Sequence, residues 1–269
     1  MSILSKNNKF LIVALFMLSP FVANATVVEI RTSLGIIEVN LFDNTTPETV
    51  SNFLSYVNSG AYADNVVHRS VSNFVVQGGG FQYTGPVALT ENNQFTLDAV
   101  QTGQAVVNEP TLSNVRGTIA MAKVGGQPNS ATSQWFINLS NSNASLDTNN
   151  GGFAVFGQVL GDGMQVVDAI AALSVLGGAQ TFIFREIPLR NYTAEDLTNK
   201  VDLTDDHLVV ISDIVITDPA VVTNANLNPV LNTSLGQPTT GGDSGSGGGS
   251  VFWLVLIAFC GIPIRKRFR

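Results

Sequence analysis

In "VVHRSVSNFVVQGGGF" (66–81) a single arginine, Arg69, stands among apolar residues, five positions before Phe74 and eight before Gln77. An arginine flanked by strand-forming residues needs a partner or a role, because guanidinium groups are almost never buried unpaired. The run "SQWFINL" (133–139) repeats the theme with Gln134, Trp135 and Phe136. Alternation along a strand puts Val75 and Gln77 on one face and Phe74 and Val76 on the other; it likewise sets Gln134 with Phe136, opposite Trp135. Two glutamines, one arginine and several apolar side chains, with no nucleophile or general base, describe an unusual site. It binds an apolar group and places one guanidinium beside it. Taken singly, Phe74, Phe136 and Phe153 read as ordinary core, Lys123 as a solvated cation and His68 as a hydrogen-bonded structural histidine.

Other chemistries fail on spacing. "GDSG" (242–245) resembles a protease nucleophile motif but lies in a glycine tract, where no triad geometry is held. "DTNNGG" (147–152) begins like a calcium loop, yet its twelfth position is Gln158 rather than a bidentate glutamate. No histidine or cysteine cluster has metal spacing, so no metal and no cofactor is expected. The glycines at 78–80 lack both the GxGxxG spacing and a following lysine. They mark a place where backbone bends or approaches closely at a strand end.

Several elements must position these residues. "VVEIRTSLGIIEVNLF" (27–42) alternates on either side of "TSLG" and reads as a β-hairpin. A helix follows, with Thr46 as N-cap, Pro47 in the first turn, Glu48 at the positive end, and Val50, Phe53, Leu54 and Val57 on one face before Gly60. "GMQVVDAIAALSV" (163–175) gives a second helix with Val166, Val167, Ile170 and Leu173 as its buried stripe. Short β-rich runs fill most of the remainder up to "HLVVISDIVIT" (207–217). Many strands with two helices predict a mainly β fold built on a closed antiparallel barrel. Residues 82–107 and 176–206 read as insertions without a clear period.

The ends read differently. Lys6 and Lys9 precede an apolar run, and Ala23-Asn24-Ala25 supplies small residues for cleavage, so 1–25 is expected to be a signal peptide. Residues 26–218 form one domain, and 219–250 read as a flexible Asn/Pro then Gly/Ser linker. In 251–269 a short apolar helix is followed by "RKRFR". Six of the 13 basic residues lie in the two terminal segments and none of the 20 acidic ones, leaving seven against 20, a net charge of −13, on the body. Such a body is a poor partner for nucleic acid or anionic lipid. The one cysteine, Cys260, sits in the tail, so the folded part has no disulfide.

The segments 66–81 and "RGTIAMAK…NSATSQWFINL" together resemble the hallmarks of cyclophilins, the cyclosporin-binding class of peptidyl-prolyl cis–trans isomerases, and most of all their exported bacterial members. The resemblance runs from about Val27 to Thr217, with gaps at the two insertions. It implies an eight-stranded antiparallel barrel capped by two α-helices. It makes Arg69 catalytic, with Gln77 holding it and the substrate backbone, and gives Phe74, Val75, Phe136 and Leu146 to the proline pocket. Ala122, Lys123 and Gln134 would line the groove for residues preceding the proline, and Phe153 stands where eukaryotic members have a histidine. A departure is Ser145, where the family has an aromatic residue. The order of glycines, apolar helix and arginines resembles glycine-glycine sorting tails, which implies transient membrane contact through a cleaved tail, the alternative being a permanent single-span anchor. The implied protein is an exported monomer of the periplasm, envelope or exterior. It would accelerate Xaa-Pro rotation in unfolded or partly folded exported proteins. The rival readings are a non-catalytic binder of proline-containing segments and an envelope display protein whose insertions carry the role.

Overall fold

The computed structural model describes residues 26–91, 94–177, 184–218 and 227–235. The expected signal peptide 1–25, the apolar tail 251–269 and most of 219–250 lie outside the described residues. The hairpin is present: β1 (Val27–Thr32) and β2 (Gly35–Leu41) pair with Thr32 opposite Gly35. Helix α1 (Pro47–Asn58) follows, with proline in its first turn and Val50, Phe53 and Tyr56 buried. Thr46 does not cap it through its side chain. The cap comes from far away in sequence, because the Glu109 carboxylate accepts from Thr49 N and Thr49 Oγ1 at 2.8 and 2.7 Å. A carboxylate there also suits the positive end of the helix dipole.

The remaining strands of the main sheet are short. They are β3 (Asn65–Val66), β4 (Arg69–Val71), β5 (Val75–Gly78), β6 (Phe81–Gln82), β7 (Asp98–Ala99), β8 (Thr118–Met121), β9 (Trp135–Asn138) and β10 (Val155–Val159). Helix α2 (Gly163–Ala171) precedes a two-stranded ribbon of β11 (Ser174–Val175) and β12 (Pro188–Leu189). Helix α3 (Ala194–Thr198) and β13 (Val210–Asp218) complete the set. The main sheet has eleven strands in the order β4-β5-β9-β8-β10-β2-β1-β13-β3-β6-β7. This corrects the expected closed eight-stranded barrel.

The physical reason lies in 65–71, one extended segment with two sets of partners. Val67 N donates to Val209 O on the β13 side, whereas His68 N donates to Gln77 O on the β5 side. The segment therefore divides into β3 and β4 and draws the two flanks of a curled sheet together. The insertion at 82–107 adds β7 outside β6. A third helix joins the two expected, closed by a capping box in which Thr193 and Asp196 bond each other's backbone N–H. Helix α2 stops at Ala171 because Ser174 and Val175 leave it to pair with β12.

Three apolar clusters result. The interior of the curled sheet holds Ile30, Val39, Phe53, Ile119, Trp135, Ile137, Phe156 and Ile211, with Val167 and Ile170 of α2 packed in. A second cluster on the other face of β5 and β9 contains Val75 and Phe136. A third joins the insertions: Phe95, Phe184, Ile187, Leu189 and Leu203 pack with Val66 and Leu208, and the Phe95 and Phe184 rings stack at 4.8 Å. The inserted segments thus carry a core of their own. Among the described residues no helix is long and apolar enough to cross a membrane.

Candidate active site

Strands β4, β5 and β9 lie side by side, and their register brings the charged and polar residues together. Arg69 stands opposite Gln77, and Gln77 opposite Phe136. The Arg69 side chain is buried, keeping only 9% of its exposure. Its Nη1 donates to Gln77 Oε1 at 3.4 Å, and Gln77 Nε2 donates onward to Gln134 Oε1 at 2.9 Å. Its Nε donates to the Glu186 carboxylate at 2.6 Å. Two of the five guanidinium N–H groups are thereby engaged, and Nη2 has no hydrogen-bond partner among the described residues. The guanidinium carbon lies 5.8 Å from the centre of the Phe74 ring.

The glycines make this packing possible. At Gly79, φ is +83°, and a Cβ would stand 2.5 Å from Ser133 O; at Gly80 it would stand 2.6 Å from the Gln134 amide nitrogen. Any side chain at either position would collide with the turn into β9 or displace the glutamine that continues the Arg69 relay. Gly79 N also donates to the buried Asn65 side chain at 2.7 Å, which ties the departing strand to β3.

Beside the relay lies the second apolar cluster. Val75, Ala122, Phe136, Leu146 and Phe153 are all buried in it, and Phe74 packs on it half-buried. The Phe136 and Phe153 rings meet edge-to-face at 5.8 Å. Trp135 points into the sheet interior instead, as alternation requires. Phe74 departs from the alternation that paired it with Val76. It precedes β5 and follows Asn73, whose φ of +57° belongs to a turn, so the strand rule does not extend to it. Its ring consequently joins Val75. The wall formed by Leu146 is fixed by a buried polar knot, in which Asp147 accepts from Ser113 Oγ and from the backbone and side chain of Asn114. This is the true setting of "DTNNGG": its leading carboxylate is saturated by the neighbouring segment.

Lys123 differs from its expectation as a groove-lining or solvated cation. It is only 1% exposed, and its amine donates to the carbonyls of Asn150 and Gly152 while lying 4.7 Å from the Phe153 ring centre. Burial lowers its pKa to about 8. It acts as a staple that holds the 150–152 turn behind Phe153. His68 is buried next to Arg69 and packs edge-on against Phe81 at 5.0 Å. Its pKa falls to about 4, first through burial and further through the adjacent guanidinium. It is neutral at physiological pH.

Glu186 was invisible to sequence reasoning. It lies 117 residues from Arg69, inside an insertion of mixed charge and no period. Its placement comes from β11–β12 and the third apolar cluster, and from Ser70 N donating to Glu186 O at 2.7 Å. Among the described residues no group of acidic, histidine or cysteine side chains is arranged to hold a metal ion.

Comparison with known proteins sharpens this picture. The family profile described as cyclophilin type peptidyl-prolyl cis-trans isomerase/CLD matches residues 27–193. A peptidyl-prolyl cis-trans isomerase of Acinetobacter baylyi is 42% identical over 149 residues, 54% of this chain and 72% of that protein. Peptidyl-prolyl cis-trans isomerase B of Escherichia coli is 34% identical over 177 residues, 64% of this chain and 98% of that protein. Among solved structures, a cyclophilin type peptidyl-prolyl cis-trans isomerase of Cryptosporidium parvum aligns with a TM-score of 0.49 at 22% identity, covering 72% of this chain and 98% of that one.

Proposed function

The chain belongs to the cyclophilin-type peptidyl-prolyl cis–trans isomerases and has that activity, and from this premise we propose that it turns Xaa-Pro bonds with the Arg69 guanidinium as its catalytic group. Rotation about a peptide bond is opposed by about 18–20 kcal/mol, because the nitrogen lone pair is delocalised into the carbonyl. In the twisted transition state that lone pair is localised on the prolyl nitrogen. A donor aimed at it stabilises the twisted form more than either planar form. Arginine is well suited to this role, since it is always charged, donates only, and is rigid.

The observation that carries this reading is the way Arg69 is held. Gln77 and Glu186 fix the guanidinium from two sides, Nη2 has no partner among the described residues, and the guanidinium carbon lies 5.8 Å from the ring of Phe74, which packs on the apolar cluster. Phe74, Val75, Phe136, Leu146 and Phe153 grip the pyrrolidine ring while the acyl side swings. Gln77 and Gln134 offer polar contacts to the peptide backbone, beside Ala122. No proton changes hands, so the reaction needs no general base.

The substrates in this reading are proline-containing unfolded or partly folded proteins beyond the cytoplasmic membrane. The leader-like segment 1–25 and the acidic body support that location. The chain works as a monomer, with passing membrane contact through its tail. The decisive measurement is the cis–trans exchange rate of a proline tetrapeptide with the full chain and with Arg69→Ala. Removal of a preorganised donor to a transition state typically slows turnover by about 100- to 1,000-fold, and a loss of that size is expected. Exchange that survives Arg69→Ala within a factor of three would remove arginine from the mechanism. Peptide binding without any acceleration by the unaltered chain would favour the non-catalytic reading. Recovery of the protein only from cytoplasmic fractions would overturn the proposed location.

A further inference from the structure

Residues 227–235 lie beyond β13 and beyond the stretch matched by the family profile, yet they are fastened to the rim of the site. Ser113 N donates to Val230 O at 2.8 Å and Asn232 N donates to Thr111 O at 2.9 Å, which sets Leu231 opposite Leu112 in an antiparallel bridge. The Asn232 side-chain amide then donates to Pro110 O and Asp147 O at 3.0 and 2.8 Å, locking the segment to both sides of the polar knot. Its oxygen accepts from Ser234 N at 3.0 Å, so the asparagine closes its own turn as well. A mere spacer of Asn, Pro and Thr has no use for such anchoring.

What the anchoring achieves is the placement of Leu227. Two partly buried apolar side chains pack on the pocket cluster among the described residues, Phe74 and Leu227. Both keep some exposure, as the lips of an open pocket do, whereas a seated plug would be covered. The neighbouring rim offers little apolar surface. In the turn at 141–147, Ser142, Ala144 and Ser145 face solvent, and Leu146 is directed inward. An apolar lip there has to come from another part of the chain.

We propose that residues 227–235 form a strap that presents Leu227 as a wall of the proline pocket, making it a specificity-determining residue for the isomerase. This rests on the assignment of that pocket to the prolyl ring. A ring bound between Phe74 and Leu227 loses more water-exposed surface than one bound against Phe74 alone, so affinity for the prolyl ring rises with the strap in place.

The test compares the full chain with Leu227→Ser, Leu227→Met and Asn232→Ala. KM and kcat for prolyl exchange are measured, together with the Kd of the same Ala-Pro tetrapeptide by NMR titration. Leu227→Ser is expected to raise KM and Kd about five- to tenfold with kcat within twofold, an effect sized by partial burial of one leucine. Leu227→Met should restore both, and Asn232→Ala, which frees the strap, should shift them the same way by less. Unchanged KM and Kd in Leu227→Ser would overturn the proposal. So would lower values, which would make the strap a cover that competes with substrate. The two readings fail separately: an unaltered chain that binds the peptide without turning it over refutes the catalytic reading while Kd still reports on the wall. A chain that does not bind the peptide refutes both.

Discussion

Arg69 is held by two regions of very different character. On one side stands the curled sheet, where Gln77 is the cross-strand neighbour of Arg69 and is itself braced by Gln134. On the other stands the inserted flank, where Glu186 reaches the guanidinium from a small core of its own. The sheet side is buried and neutral, and its geometry follows from strand register. The flank side is charged and partly open, since the Glu186 side chain keeps 37% of its exposure. A buried hydrogen bond to a neutral amide is only weakly sensitive to salt and depends on backbone placement, whereas a half-open ion pair is screened and adjustable. The site therefore combines a fixed anchor with a tunable one.

The most damaging single change removes the close backbone approach on which the sheet side depends. Gly79→Ala puts a Cβ at 2.5 Å from Ser133 O at a φ of +83°. The two faults together are expected to destabilise the fold by about 3 kcal/mol or more, read as a lower urea midpoint. An unchanged midpoint would mean that the turn into β9 yields freely.

Acid tests the seam between the two regions. His68 lies beside Arg69, against Phe81, and Phe81 touches Phe184 of the flank at 5.0 Å. Its folded pKa of about 4 lies below the ordinary value of 6.5. Below that ordinary value the unfolded chain takes up a proton that the native state refuses. Stability is therefore complete above about pH 6.5, declines as pH falls towards about 4, and loses nothing further from this group below that. The shift corresponds to roughly 3 kcal/mol in all. Urea midpoints between pH 6.5 and 5, where carboxylates still contribute little, should fall for the unaltered chain and stay nearly flat for His68→Gln.

Gln77→Ala sharpens the sheet side directly. It deletes a hydrogen bond to a charged group and strands Gln134, a combined loss of about 2 kcal/mol, or roughly 30-fold in kcat/KM. The expected signature is a fall in kcat with little dependence on salt. A loss that disappears at low ionic strength would show that Gln77 acts through the general field rather than through its bond.

These regions also differ in how far the sequence discloses them. Arg69, Gln77, Gln134 and Phe136 were legible because alternation along strands is a local rule, and the register of β4, β5 and β9 obeys it. The rule failed for Phe74, where the turn at Asn73 interrupts the period. It also failed in counting strands, because 65–71 changes partners halfway along without any change in residue type. The role of Lys123 depends on carbonyls almost thirty residues away, which no spacing encodes. Glu186 and the strap were hidden for the same reason. Residues without internal periodicity took their positions from a third core and from bonds to the rim, and both kinds of contact are formed only in the folded chain.

The smallest effect falls on the flank, and it separates position from charge. Glu186→Ala removes a short ion pair from a partly open site, which is expected to lower kcat/KM by about fivefold, the upper range for such pairs. If the carboxylate serves to aim the guanidinium, the loss should appear in kcat with KM nearly unchanged. Glu186→Gln should then recover most of it, because the amide oxygen still accepts from Nε. If it serves instead through its charge, Glu186→Gln should behave like alanine, and raising the salt concentration should slow the unaltered enzyme towards the variants. The double variant Gln77→Ala/Glu186→Ala decides whether the two holds cooperate. Independent anchors multiply their losses, whereas two grips on one rigid planar group should give a combined loss different from that product. The geometry favours the second outcome, because Nε and Nη1 belong to one conjugated plane and fixing either restricts the other.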